Sequence, residues 1–171
     1  MKRSLLGIAA LAVAVSLTLG LNTALAANWS AGRSVTVAVT NTVLGRILVD
    51  GRGRTLYLFE RDKHGTSTCS GLCASEWPPV IASGKPLAGA GAQSSLLGVT
   101  KRGDGRLQVT YNHHPLYTFV NDTSKGQTSG EQLNAFGAEW YVLSKAGVEI
   151  AKAFPTTNND GSEPSSGGYG Y

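Results

Sequence analysis

Beyond Ala26 the apolar residues do not recur at a helical period. They alternate with polar residues, or run in short blocks between glycine-rich turns. Val35-Thr-Val-Ala-Val39 alternates and is β-branched, so it predicts a strand. Gly45-Arg-Ile-Leu-Val-Asp50 predicts a second strand, and Asp50-Gly51 supplies a hairpin turn into a third, Thr55-Leu-Tyr-Leu-Phe59. Residues 62–71 read as a loop. Residues 82–98 are rich in Gly, Ala and Ser and predict a long loop, or a weak helical turn around 93–97. Arg106–Tyr111 and Leu116–Val120 predict a second hairpin, and Glu139–Leu143 and Val148–Ile150 predict late strands. The fold class that follows is all-β, with one domain spanning residues 35–154.

The pattern repeats. Leu56-Tyr-Leu-Phe-Glu-Arg-Asp62 and Leu116-Tyr-Thr-Phe-Val-Asn-Asp122 share Leu-Tyr-x-Phe-x-x-Asp at a spacing of 60 residues. Each copy follows a turn and precedes a tryptophan, Trp77 or Trp140. The spacing implies two similar antiparallel units, at about 44–80 and 105–143, packed around one core. Residues two apart on a strand share a face. Tyr57 therefore sides with Phe59, and Tyr117 with Phe119, while Leu56, Leu58, Leu116 and Val120 face the other way. Apolar groups on both faces predict strands buried on both sides. Asp62 and Asp122 fall at the strand exits. Their carboxylates are expected to accept backbone N–H bonds from the turns at 63–65 and 123–126. They could instead form an acid–base pair, one from each unit.

The ends read differently. Lys2 and Arg3, an apolar run from Leu5 to Leu21, and Ala24-Leu25-Ala26 make residues 1–26 a cleavable signal peptide, followed by a polar lead-in at 27–34. Cleavage leaves no stable membrane anchor. Residues 155–171 are Gly- and Ser-rich without apolar periodicity and predict a disordered tail. The chain has 171 residues, 42% hydrophobic and 15% charged, with 22 Gly. That excludes a disordered polyelectrolyte and a coiled coil. Loss of Lys2 and Arg3 with the leader lowers the formal charge from +4 to +2. No basic stripe remains, so nucleic acid is not an expected partner.

These residues and motifs resemble a family of secreted proteins and lipoproteins known as the secreted repeat of unknown function, which carries a Tyr-x-(Phe/Trp/Tyr)-x-x-Asp motif. Tyr57, Phe59 and Asp62, with Tyr117, Phe119 and Asp122, match the motif. Cys69-Ser-Gly-Leu-Cys73-Ala-Ser-Glu-Trp77-Pro-Pro79 resembles the block between its repeats. The resemblance spans about Leu44 to Leu143 and implies an envelope or secreted location without assigning an activity. The chain lacks the lipid-attachment Cys of many members. It also has His113 where the second hairpin turn calls for glycine, which implies a strained turn or a different turn type.

Candidate chemistry is sparse. Cys69 and Cys73 in an oxidising compartment are expected to form a disulfide. The alternative is a copper or redox site built from Cys69, Cys73 and His64, since soft thiolates suit Cu(I). His113 and His114 read as a solvent-facing hairpin tip. Trp77, Trp140 and Tyr141 could line a groove for glycan or peptide, or fill the core. No nucleophile elbow and no phosphate loop occur. The sequence therefore predicts an exported protein of periplasm, envelope or cell surface. It is expected to be non-catalytic and without a cofactor, and to bind an envelope ligand or protein or serve structurally. The alternative is an extracytoplasmic copper or redox carrier.

Overall fold

The computed structural model describes residues 34–150. The leader at 1–26, nearly all of the lead-in and the tail at 155–171 lie outside the described residues. Among the described residues no helix is long and apolar enough to cross a membrane.

The domain is all-β, as the alternating pattern requires. Strand β1 (Thr36–Thr42) pairs antiparallel with β2 (Gly45–Asp50), from Val37 opposite Asp50 to Thr42 opposite Gly45. Asp50 closes the next turn with its side chain: Oδ1 accepts the N–H groups of Arg52 and Arg54 at 2.9 and 3.0 Å. The chain then enters β3 (Tyr57–Phe59). A short helix α1 (Leu72–Glu76) follows the loop, then β4 (Leu87–Ala88). A 3-10 turn at Ser94–Leu96 leads into β5 (Leu97–Lys101), β6 (Leu107–Tyr111) and β7 (His114–Pro115). Strands β8 (Leu133–Ala135) and β9 (Ala138–Val142) complete the fold. The three sheets run β2-β1-β4, β3-β9-β8 and β5-β6-β7.

The two repeats meet at Tyr57 and Tyr117. The N–H of Tyr57 donates to the carbonyl of Tyr117 at 2.9 Å, and the reverse bond is 3.0 Å. This pair lies on a pseudo-twofold axis, and the rest of the backbone follows it. Strand β9, from the second repeat, pairs with β3 of the first, with Tyr57 opposite Val142 and Phe59 opposite Trp140. The carbonyl of Leu143 accepts the N–H of Leu48 at 2.9 Å. The segment after Trp77 does the same for the second repeat. There Val109 donates to Val80 at 2.8 Å and Thr118 to Pro78 at 3.0 Å. Each repeat thus supplies the strand that completes the other. The two are one folding unit.

The central strands are buried on both faces, as expected from their apolar alternation. Tyr57, Phe59, Tyr117, Phe119, Trp77 and Trp140 share one core with Ile47, Val142 and the two cysteines. Leu56, Leu58, Leu116, Val80, Val109 and Leu143 fill the other.

Several expectations need correction. Val120 is 49% exposed: its N–H still donates to the carbonyl of Glu76 at 3.1 Å, but its side chain faces out where the chain turns toward Asp122. The second hairpin turns at Asn112-His113 as expected, but its return strand is only His114–Pro115 and not Leu116–Val120. Asn112-His113 links β6 to β7, and the segment from Leu116 continues through single bridges. Val148–Ile150 makes one bridge, Leu143 to Glu149, and no strand. The glycine-rich stretch after Ala82 has the helical turn expected around 93–97, at Ser94–Leu96, but it also holds β4 and the start of β5, because an adjacent strand edge recruits its backbone despite a poor intrinsic propensity. The Asn112-His113 turn keeps positive φ, 47° and 67°. The turn type is retained and the strain falls on His113.

Candidate functional site

The motif residues build the most polar part of the interior. After each Phe the chain makes a tight turn, with Asp62 N–H donating to Phe59 at 3.0 Å and Asp122 N–H to Phe119 at 3.2 Å. This turns both carboxylates back toward the core. Oδ1 of Asp62 then accepts the N–H and hydroxyl of Thr68 at 2.7 and 2.8 Å, and Oδ1 of Asp122 accepts the N–H of Ser129 at 2.9 Å. The turn-capping expectation therefore shifts: each aspartate pins the far end of its loop. At 123–126 the near end is held instead by Gln127, whose Oε1 accepts the N–H groups of Thr123 and Ser124.

The second oxygen of each carboxylate crosses the axis. The Tyr57 hydroxyl donates to Oδ2 of Asp122 at 2.6 Å, and the Tyr117 hydroxyl to Oδ2 of Asp62 at 2.6 Å. The aspartates are thus each matched to the opposite repeat's tyrosine, and the acid–base pair imagined between them is replaced by two tyrosine–carboxylate latches. Burial pushes both phenols well above the ordinary tyrosine value, and the adjacent carboxylates push the same way. Burial also raises both aspartates, opposed by the hydrogen bonds they accept. A neutral phenol donating to a carboxylate that is held by further hydrogen bonds makes a structural latch.

The two latches differ in their surroundings. The Tyr57 hydroxyl also accepts the N–H of Gly130 at 3.2 Å. Glycine is required there, since a Cβ would stand 2.6 Å from the Trp77 ring. The Tyr117 hydroxyl instead meets Ser67 Oγ at 2.8 Å. Ser67 in turn accepts from Arg102, which is only 6% exposed. Arg102 also donates to Gln108 Oε1 and to the carbonyl of Cys69, each at 2.6 Å. A buried cation therefore stands three hydrogen bonds from the Asp62 carboxylate, through Ser67 and Tyr117. The sequence reading missed Arg102 and Gln108. Arg102 sits in Lys-Arg-Gly-Asp-Gly-Arg, which resembles an exposed turn.

The tryptophans are core residues, which corrects the groove reading for both. Phe59, Trp140, Trp77 and Phe119 form one parallel stack, with successive centroids 4.1, 3.9 and 4.2 Å apart. Tyr57 meets Trp77 edge-on at 5.3 Å, and Tyr117 meets Trp140 edge-on at 5.1 Å. The large rings prefer these offset and edge geometries, and their burial dominates the core. Trp140 Nε1 donates to the carbonyl of Ala135 at 3.2 Å, whereas Trp77 Nε1 is buried without a partner. Tyr141 is half-buried on the opposite face, and its hydroxyl donates to Glu139.

Cys69 and Cys73 are joined in a disulfide, with their Cα atoms 5.3 Å apart and both residues buried against the aromatic core. The bridge spans the start of α1, and Trp77 N–H donates to the carbonyl of Cys73 at 2.8 Å. The disulfide thus fixes the approach to Trp77. His64 and His113 are exposed, and both have left-handed backbone. Among the described residues no group of three or more His, Cys, Asp or Glu side chains is placed to hold a metal ion.

A family model described as a secreted repeat of unknown function matches residues 38–81 and 98–144. The two matched regions are the two halves related by the Tyr57–Tyr117 axis. No curated protein and no solved structure matches the chain.

Proposed function

The chain belongs to the family described as a secreted repeat of unknown function, and from that premise we propose that it is an exported envelope protein acting as a non-catalytic binding or structural module. One observation carries this reading. The polar groups of the repeated motif are consumed inside the molecule: both tyrosine hydroxyls and both aspartates bond to each other across the repeat axis. The motif is a folding signature. Whatever the module binds is met by its surface, in the periplasm or at the cell surface.

The disulfide agrees with an oxidising compartment. The test is a thiol titration of the exported protein with and without Cu(I), together with the intact mass. Blocked thiols, no retained copper and a chain starting at Ala27 are expected. Free thiols that hold one copper per chain would replace this reading with a metal carrier.

A further inference from the structure

The pseudo-twofold axis makes the two outer sheet edges comparable, and they differ in one respect. The register pairs Val39 with Leu48 and Val99 with Val109, and Leu48 and Val109 occupy equivalent places at the repeat exchange. Val37 and Val39 of β1 therefore correspond to Leu97 and Val99 of β5. In the first repeat the outward groups are taken by the segment containing β4. Leu87 N–H donates to Val35 at 2.8 Å, Gly89 N–H to Val37 at 2.7 Å, and Val39 N–H to Ala90 at 2.8 Å. This Leu-Ala-Gly-Ala strand runs parallel to β1.

In the second repeat the same edge is open. Asn112 N–H donates to Leu96 and Arg102 N–H to Arg106, so the even-numbered residues of β5 face β6. Alternation then turns the C=O of Leu97 and the N–H and C=O groups of Val99 and Lys101 outward. The Leu97 N–H is spent on the carbonyl of Ser94, closing the 3-10 turn; among the described residues no strand or bridge pairs with the Leu97 C=O or with the N–H and C=O groups of Val99 and Lys101. Alongside lies a groove of about 470 Å³, lined by Pro86, Lys85, Leu97, Gly98, Val99 and Leu107. Val99 is 46% exposed and Leu107 is 45%. The chain's own counterpart of β4 begins Ile150-Ala151-Lys152-Ala153, 63 residues after Leu87-Ala88-Gly89-Ala90, the spacing that separates Trp140 from Trp77. Yet Ile150 is 4% exposed within the aromatic core and Glu149 is bridged to Leu143, so Ile150 itself is spent on the core and not on the β5 edge.

We infer that the β5 edge is an acceptor for an extended strand of a partner protein, carrying small and apolar residues and an acidic residue at its C-terminal end. The inference rests on the binding-module reading and gives it a partner class. The occupied β1 edge is the template for residue size and for parallel direction. Charge sets the rest: Lys101, at the end of β5, and Lys85, beside the groove, are both exposed. A parallel strand brings its C-terminal end toward Lys101. Backbone pairing supplies affinity and the groove supplies side-chain selection. An unprotected edge otherwise invites non-specific pairing, which proteins normally prevent by covering it or placing charges on it.

The test is amide hydrogen exchange by NMR on the full mature chain, with the synthetic peptide Pro-Leu-Ala-Gly-Ala-Asp as probe. The peptide should slow exchange of Val99 and Lys101 by roughly tenfold or more, leaving Gly98 and Thr100 unchanged. An N-methylated version of the peptide should have no effect, and replacing its Asp by Lys should weaken binding. Val99→Pro removes one outward N–H at a position where an edge strand tolerates proline, and should abolish the response with the unfolding midpoint retained. Three results would overturn the inference. One is no slowing by the peptide. Another is slowing that grows with protein concentration alone, which assigns the edge to a second copy. The third is full protection of these amides in dilute, peptide-free protein, which assigns it to the chain's own tail. None of these readouts involves thiols or export, so failure here leaves the binding-module reading standing.

Discussion

Tyr57 and Tyr117 face each other across the repeat axis, exchange both backbone hydrogen bonds, and each donates its hydroxyl to the aspartate of the other's repeat. The motif is therefore satisfied only when both copies are present. Within one repeat, Tyr57 and Asp62 share no hydrogen bond with each other; their partners are Asp122 and Tyr117.

That exchange is measurable. Tyr117→Phe leaves an acceptor oxygen of Asp62 without its donor and should cost about 1–3 kcal/mol in urea unfolding, and Tyr57→Phe a similar amount at Asp122. In double-mutant cycles, Tyr57→Phe should couple with Asp122→Asn by about 1 kcal/mol. It should combine additively, within about 0.5 kcal/mol, with Asp62→Asn. Coupling within a repeat in place of coupling across the axis would contradict the latch geometry.

Alkaline pH should unfold the protein through the same hydroxyls. The phenols of Tyr57 and Tyr117 are raised above their unfolded value, first by burial and then by the facing carboxylates. A group raised in the folded state binds more protons there than in the unfolded chain. Its contribution is complete below the ordinary tyrosine value of about 10 and is lost as pH rises beyond it. Titration at 295 nm should show these two tyrosines ionising only with unfolding, and Tyr57→Phe should flatten the alkaline loss of stability.

Reduction of Cys69–Cys73 should lower stability by about 2 kcal/mol, because the loop it closes is short and the entropy it removes from the unfolded chain is modest. Near-ultraviolet circular dichroism should change with it, since Cys73 holds the entry to Trp77 and that ring is stacked on Trp140. A Cys69→Ala, Cys73→Ala protein with an unchanged aromatic spectrum would show that the stack positions itself.

His113→Gly should stabilise the domain by up to about 1 kcal/mol, because a side chain at φ 67° carries a left-handed penalty that glycine does not. The gain is reduced by the extra freedom glycine has when unfolded. Thermal melts of the variant beside Asn112→Gly separate the two turn positions. The Asn112 change also removes the bond from Nδ2 to Gly147 and should help less.

The repeat, the strands around the motif and the disulfide were visible in the sequence because each rests on local pattern: alternation at Leu56–Phe59, a matched spacing, two cysteines in an exported chain. What escaped it was long-range. No local feature says that Tyr57 bonds to Asp122 in preference to Asp62. Both pairings fit the motif, and only the exchange of β9 and the Val80 segment selects between them. Arg102 was missed for a related reason. Its neighbours Gly103, Asp104 and Gly105 mark an exposed turn, while its guanidinium is carried inward to Ser67, Gln108 and Cys69 by the β5–β6 hairpin. The groove role for Trp77 and Trp140 failed because a Trp-Pro-Pro sequence looks the same whether its ring faces water or another ring.

The exchanged strands also set a schedule. β3 has no sheet neighbour until Val142 has been made, and the hairpin of β1 and β2 lacks its cap until Leu143 arrives. A nascent chain emerging from its N-terminus therefore holds an unfinished half for nearly the whole of synthesis, because its key contacts are far apart in sequence. For a polypeptide that must thread a narrow translocation channel unfolded, such lateness is an advantage.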